Sequence, residues 1–268
     1  MIVLDQQSPP LAIARNGPVV TLTLQRPERH NAFDDHLIAS LQAAFDDLGT
    51  DADVRVVVLA AQGRTFSAGA DLNWMRRAAA YTEEENRRDA LALATMLRTA
   101  ASLPRPLIAR VQGPALGGGM GLVAVADIAI AAARARFGFS EARLGLIPAT
   151  IAPYVVEKIG PGHARALFLT AERITADRAQ QIGLLHRVVP DDQLDDAVAE
   201  TVQALLAGGP QAHGLAKTLV RTVLSTSGPD QDQATAALLA RARGEAEGRE
   251  GVQAFLDKRP PNWRPADG

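Results

Sequence analysis

From Val19 to Leu24 the chain reads Val-Val-Thr-Leu-Thr-Leu, β-branched and alternating, and Arg26-Pro27 closes the run in extended geometry. A strand is predicted there. Beyond Asp34, a capping residue, Leu37, Leu41, Ala44, Phe45 and Leu48 recur at three- and four-residue spacing, one apolar stripe on an otherwise polar helix. Val54 to Leu59 is an almost continuous apolar run of strand length, the pattern of a strand covered on both faces in a parallel sheet. A second long helix is predicted over about Thr82–Leu103, and Pro104 and Pro106 bracket the way into a strand at Leu107–Val111. The repeated alternation of strand and crossover helix places the chain in the α/β class.

The pattern then loosens. Gln112–Gly119 reads as a loop, Met120–Ala126 as a short apolar segment and Asp127 to about Ala132 as a strand, while Arg136–Pro148 holds no clean period and is expected as loop and short turns. Ile151–Ile159 is predicted helical up to Gly160-Pro161-Gly162, His163–Thr170 as another helix, and Thr175–Ile182 as a capped helical turn finished by Gly183. Leu184–Val189 reads as the last strand. After it only helical patterns remain, at Asp195–Leu206, Gln211–Leu224, Gln231–Glu247 and Gly251–Asp257. The expected division is an α/β core over 1–193 and an all-helical region over 194–268. So short a helical stretch is small for an independent core and is expected to dock or swap onto a neighbour.

Composition narrows the functions. The chain has 268 residues, 47% hydrophobic and 22% charged, as in ordinary globular proteins. Lys and Arg number 28 against 30 Asp and Glu, for a net charge of −2, and no stretch carries five or six like charges. No nucleic acid and no membrane surface is therefore expected as partner. There is no cysteine, which removes disulfides, thiolate metal sites and cysteine nucleophiles together. The 5 histidines show no ligand spacing, so no metal site is expected. Met1–Pro10 lacks a basic stretch followed by an apolar one, and Met120–Ala126 falls far short of the ~18 residues of a membrane span. A cytoplasmic location is expected.

Three segments depart from packing logic. Gly63-Arg-Thr-Phe-Ser-Ala-Gly-Ala-Asp-Leu72 comes directly after a buried strand, and its small residues let backbone approach a ligand while Asp71 can cap a helix starting at Leu72. Gly113-Pro-Ala-Leu-Gly-Gly-Gly-Met-Gly-Leu122 puts three glycines at the start of a helix, where bare N–H groups can receive an anion or a developing oxyanion. No Gly-Lys-Ser/Thr comes after it and the dinucleotide glycine spacing is absent. Phe139-Ser-Glu-Ala-Arg-Leu-Gly-Leu-Ile-Pro148 sets Glu141 among apolar residues, where burial beside Leu144, Leu146 and Ile147 would raise its pKa toward the range useful for proton transfer. The plainer reading of Glu141 is a surface carboxylate paired with Arg143.

In this order the segments resemble the crotonase (enoyl-CoA hydratase/isomerase) superfamily. Leu24-Gln-Arg-Pro-Glu-Arg-His-Asn-Ala32, Phe66-Ser-Ala-Gly-Ala-Asp-Leu72, Gln112-Gly-Pro-Ala-Leu-Gly-Gly-Gly119, Asp127-Ile-Ala-Ile-Ala131, Ser140-Glu141, Leu144-Gly-Leu-Ile-Pro148 and Gly183-Leu-Leu-His-Arg-Val-Val-Pro190 fall in register, and the likeness runs from about Val19 to Arg259. The resemblance implies a spiral of ββα units, a C-terminal helical region for oligomerisation, and trimers or pairs of trimers. It implies an acyl-CoA thioester as substrate, with coenzyme A part of that substrate and no permanently bound cofactor. It also implies an oxyanion hole from the backbone N–H groups of Ala70 and Gly118, with Glu141 as the catalytic acid/base.

One position departs from the two-acid hydratases. Where they carry an acid two residues after the triple glycine, this chain has Gly121, and a water is expected in the gap so left. Single-acid members include enoyl-CoA isomerases and bacterial hydratases of branched glutaconyl-CoA thioesters. Ser67–Arg77, Gly119-Met-Gly-Leu-Val123 and Leu146-Ile-Pro-Ala-Thr-Ile-Ala-Pro-Tyr154 resemble the second set, the methylglutaconyl-CoA hydratase-like members. By the same resemblance Arg26, Ala68, Gly69, Asp71, Leu72, Gly117 and Lys258 are candidate substrate or CoA contacts. Trp74, Arg76, Arg77, Gly121 and Thr150 are candidates for the acyl pocket, with one of the two arginines positioned for a substrate carboxylate. The expected activity is hydration of an enoyl-CoA. Isomerisation through Glu141 alone and non-catalytic acyl-CoA binding are the alternatives.

Overall fold

Two sheets, one of six strands and one of three, organise the chain, and the computed structural model describes residues 9–264. The N-terminal stretch read as free of a leader falls mostly on residues 1–8, outside the described residues. In the large sheet the spatial order is β1 (Leu11–Asn16), β2 (Val19–Leu24), β3 (Val56–Ala61), β4 (Leu107–Val111), β6 (Ile128–Ala132) and β9 (Arg187–Val189). The first pair is antiparallel and the others are parallel, in register at Val19 with Val56, Val57 with Leu107, Ile108 with Ile128, and Ile130 with Arg187.

β3 shows why an unbroken apolar run marks a central strand. Val57, Leu59 and Ala61 enter the larger core together with Leu37, Leu41 and Phe45 of α1 (Asp35–Thr50) and Met96 and Leu97 of α3 (Glu83–Ser102). Val56 and Val58 face the opposite way, against Leu194, Val198 and Val202 of α7 (Leu194–Ala207). The division expected at residue 193 therefore passes through packed layers: α7 covers the second face of the sheet, and the helices that stand off the core begin after it.

β1 is invisible to the hydrophobic pattern because only Leu11 of its 6 residues is buried. The turn that joins it to β2 does carry a signal, an Asn-Gly pair with Gly17 at φ 55°. The small sheet consists of β5 (Ala115–Leu116), β7 (Arg136–Gly138) and β8 (Arg173–Thr175). Together with a 3₁₀ turn at Glu141–Leu144, it gives regular structure to part of the 136–148 stretch expected as loop.

The apolar segment at Met120–Ala126 is a helix, α4 (Gly118–Val125), and every residue from Gly119 to Val125 is buried. Surrounded on all sides, it has no polar face and hence no period. α5 (Ala152–Thr170) breaks at Gly160, whose φ of 74° interrupts the helix where Gly-Pro-Gly is expected to end it. The last predicted strand is shorter than expected. Leu184 and Leu185 are buried but precede β9. Short helices α2 (Leu72–Ala78) and α6 (Ala176–Gln181) complete the core.

Beyond it, α8 (Pro210–Ser225) and α9 (Gly228–Gly244) bury no residue within the chain, and α10 (Ala246–Leu256) buries only Ala254. Their apolar side chains include Val223, Leu224, Leu239, Leu256 and Phe255, all exposed, Phe255 at 82%. Among the described residues no helix is long and apolar enough to cross a membrane.

Candidate active site

The site starts with the stretch that leaves β3. Asn31, fully buried at φ 53°, donates from its amide to Gln62 O and Thr65 O at 2.8 Å each and accepts from Arg26 N at 2.9 Å. Gln112 donates to Gly63 O and Thr65 O from the other side, at 3.1 and 3.2 Å. The loop therefore runs between two amide clamps. Further along, Phe33 and Ala70 form an isolated parallel bridge in which Phe33 N–H donates to Gly69 O at 2.6 Å and Asp71 N–H donates to Phe33 O at 2.7 Å. That bridge uses the groups flanking Ala70 and leaves Ala70's own N–H outside the ladder.

Asp71 then caps α2, accepting from Asn73 N at 2.8 Å and Trp74 N at 3.2 Å. Burial opposes its ionisation, but hydrogen bonds from Arg29 and from the Trp74 and Asn73 amides overcome that and hold its carboxyl below the ordinary range. Arg26, which the sequence pointed to CoA, is only 11% exposed and reaches Asp34 at 2.7 Å, Asp71 at 3.4 Å and Ala32 O at 3.0 Å. It braces the turn from inside. Asp34 in turn caps α1 through Leu37 N at 2.9 Å, so one ionic cluster fixes the starts of two helices.

The glycine turn meets this one directly. Leu116 N donates to Ser67 O at 2.9 Å and Ser67 N donates to Pro114 O at 3.2 Å, stitching the two stretches together. Gly69, at φ 88°, approaches so closely that a Cβ on it would lie 3.0 Å from Leu116 O and 3.4 Å from Gly118 N. Gly117, at φ 50° and ψ −122°, is the N-terminal cap of α4, a conformation that side chains disfavour. Gly118 is the first residue of α4, so its N–H has no partner inside the helix and stands at the helix's positive end. Ala70 is exposed and Gly118 partly so, which leaves both N–H positions within reach of a ligand.

Glu141 reaches the same place from the small sheet. Gly117 N donates to Gly138 O at 3.0 Å, and the chain then turns through Glu141, whose Oε1 would lie 3.4 Å from a Cβ on Gly117. Its Oε2 is buried without a hydrogen-bond partner. Burial pushes the carboxyl pKa up, against weaker opposition from the backbone N–H groups of Glu141 and Ser140. The expected source of that burial is corrected: Leu144, Leu146 and Ile147 are exposed at 59, 53 and 77%, and Gly117, the cap of α4, lies against the carboxyl. Nor does Arg143 pair with it; Glu141 has no ion pair among the described residues.

The other expected residues divide. Ala68, Gly69, Ala70, Gly117, Gly118 and Glu141 come together, with Leu72 71% exposed at their edge. Trp74 is core instead, donating from Nε1 to Asp89 at 3.1 Å and so tying α2 to α3. Arg77 pairs with Asp35 at 2.6 Å, and Arg76 donates to Asn73 at 3.0 Å; both are exposed. Lys258 lies exposed just past α10, whose neighbours are α8 and α9, so the structure groups it with those helices rather than with the two turns. Ile151 packs into the gap expected at Gly121: a Cβ there would lie 2.4 Å from Ile151 Cγ2. Thr150, the neighbour of Ile151, is half-buried. Ile151 and the clamp role of Asn31 have no signal in the hydrophobic pattern, since both depend on which segments meet.

The chain also resembles known proteins along nearly its whole length. Residues 14–266 match the family model described as enoyl-CoA hydratase/isomerase. The chain is 33% identical over 259 residues to the 2,3-dehydroadipyl-CoA hydratase of Escherichia coli, covering 95% of this chain and 98% of that protein. It is 31% identical over 252 residues to that organism's 1,2-epoxyphenylacetyl-CoA isomerase, covering 91 and 94%. The crystal structure of an enoyl-CoA hydratase from Shewanella pealeana superposes with a TM-score of 0.92 at 40% identity, covering 97% of this chain and 98% of that one. Two adjoining backbone turns with a buried carboxyl above them, in a chain so matched along nearly its whole length, make this protein a member of the enoyl-CoA hydratase/isomerase family.

Proposed function

We propose that the protein is an enoyl-CoA hydratase that adds water across the α,β double bond of an acyl-CoA thioester, of the branched glutaconyl type. The observation that carries this reading is Glu141, a buried carboxyl with one unpartnered oxygen beside the turn that presents Gly118 N–H. The thioester oxygen is to be received by the N–H groups of Ala70 and Gly118, where charge accumulates as water attacks the β-carbon. Removing one such donor costs about 10²–10³ in rate in comparable sites.

With the Gly121 gap filled, Glu141 itself must hold the water. In its ionised form it accepts the water proton as oxygen bonds to the β-carbon, and the enolate then takes that proton back from Glu141 at the α-carbon, which restores the carboxylate. Burial raises the Glu141 pKa above the ordinary carboxylate range, which strengthens it as a base once ionised. Coenzyme A enters and leaves as part of the substrate. The exposed apolar sides of α8–α10 favour a homo-oligomer, and its form as a trimer or a pair of trimers rests on the sequence resemblance. The glutaconyl assignment rests on the sequence resemblance, with Arg76 as the exposed cation for the terminal carboxylate.

The filled gap also favours a second reading, an isomerase that moves one proton with Glu141 and uses no water. Incubation with methylglutaconyl-CoA and crotonyl-CoA in H₂¹⁸O decides between them. A hydratase places ¹⁸O in the 3-hydroxyacyl product; double-bond migration with no ¹⁸O in any product sinks the hydratase reading.

A further inference from the structure

A cavity of about 480 Å³ opens between α3, α5 and α8, with the last residues of α4 as its floor. It therefore lies at the opposite end of α4 from Gly118, apart from the candidate active site. Four cationic side chains line it, Arg98, Lys158, Lys217 and Arg221, against two carboxylates, Asp127 and Glu157. The acids do not neutralise it. Asp127 Oδ2 is committed to Lys217 Nζ and to Leu107 N, both at 2.7 Å, and Glu157 is exposed.

Lys158 is half-buried and has no ion pair among the described residues; its Nζ donates to Ala126 O at 2.6 Å. Ala126 and Asp127 are consecutive, so the two ammonium groups are tethered at adjoining positions, near enough for the charge of Lys217 to oppose that of Lys158. Burial lowers the pKa of both, which marks charge drawn out of water. Folded proteins rarely withdraw a cation in this way without an acid to pair it. Around the two lysines the guanidinium of Arg98 has no hydrogen-bond partner among the described residues, and Arg221 makes only long contacts, to Ala101 O at 3.5 Å and Thr218 Oγ1 at 3.4 Å.

We propose that this cavity binds a phosphate monoester, with the phosphate between Lys158 and Lys217 and the guanidinium groups of Arg98 and Arg221 beside it. A phosphate monoester carries about −1.5 to −2 at neutral pH, which matches the surplus of positive charge on a single group, whereas a dicarboxylate divides the same charge between two places. Adjoining ammonium groups act on it as point charges, and a guanidinium adds paired N–H donors. Ala101, Val125 and Val220 offer the organic body an apolar wall.

Calorimetric titration of the full chain at about pH 7.5 with phenyl phosphate, inorganic phosphate and succinate tests the proposal. Phenyl phosphate should bind with a Kd of about 1 mM or below. Lys158→Met should weaken it at least about tenfold, through loss of a charged hydrogen bond, and Arg98→Ala about threefold, as an exposed charge. Arg98 is exposed and its guanidinium bonds to nothing in the fold, so its variant keeps the test decisive even where Lys158→Met fails to fold. Inorganic phosphate binding as tightly as phenyl phosphate would keep the anion site and overturn its organic body. The proposal as a whole is overturned if neither phosphate compound binds at about 10 mM, if the folded variants leave Kd unchanged, or if succinate binds as tightly as phenyl phosphate.

Discussion

Helices α4 and α8 invert each other's logic. In α4 everything from Gly119 to Val125 is buried, so its residues show no preferred face, yet its first turn borders the candidate site. In α8 the apolar residues Leu219, Val220 and Val223 fall at helical spacing, and not one residue is buried within the chain. An amphipathic stripe reports that a helix seeks cover on one side. A helix covered on every side is held in place by its surroundings, and that rigidity suits a hydrogen-bond donor that must not move during the reaction.

The comparison breaks most sharply at the first residue of α4. Gly118→Pro removes the N–H at a helix position that tolerates proline and should lower turnover about 10²–10³-fold, measured by loss of the enoyl-thioester absorbance. Gly118→Ala is the control. It keeps the N–H, although its Cβ would crowd Phe33 Cδ2 at 3.0 Å. Proline activity within about tenfold of the alanine variant would remove Gly118 from the oxyanion hole.

Glu141→Gln should lower kcat by roughly 10² or more with KM little changed. Its pH behaviour has a definite sign. The folded-state pKa is raised by burial, so the parent's rate should climb with pH through a value above the usual carboxylate range, as the base ionises. The parent's stability should move the other way. Relative to the Gln variant it is intact below the unfolded pKa of about 4.3 and falls as pH rises through the folded value, because the buried carboxylate must charge. Thermal melts of both proteins from pH 4 to 8 measure the difference; a gap that stays constant would contradict the burial of Glu141.

At the other pole of the comparison, Phe255→Ser and Val223→Asp should change the protomer's own stability by no more than about 0.5 kcal/mol, since both side chains are exposed. Sedimentation should nonetheless show the parent as an oligomer and the variants shifted toward monomer. A parent that sediments as a monomer would refute this use of the apolar side.

The smallest effect belongs to Arg77→Ala, which loses an exposed, solvent-screened ion pair with Asp35 and should leave the thermal melt nearly unchanged. Arg76→Glu should raise KM for methylglutaconyl-CoA and spare crotonyl-CoA. Equal effects on both substrates would separate Arg76 from the acyl carboxylate.

How far the sequence reached depends on the same division. The parallel sheet, α1 and α3 were legible because each buries a stripe or a run that its residues display in order. The two glycine-rich turns were legible too, because Gly69 and Gly117 adopt backbone that few other residues tolerate. β1 escaped because an edge strand buries little, and α4 escaped as a helix because it buries everything. Arg26 was assigned to CoA from its motif, whereas its partners Asp34 and Asp71 come from two other segments.

By itself the sequence determined the α/β class, the turns with their small residues, the single acid at 141 and the resemblance to a family. These are local properties or ordered motifs, written in consecutive residues. Only the tertiary structure decided that Gly117 at the start of α4 lies against Glu141, that α7 belongs to the sheet, and that Ile151 packs beside Gly121. Each of those depends on volume shared between segments distant in the chain. A sequence shows which side chain is absent at 121; only the packed molecule shows what has taken its room.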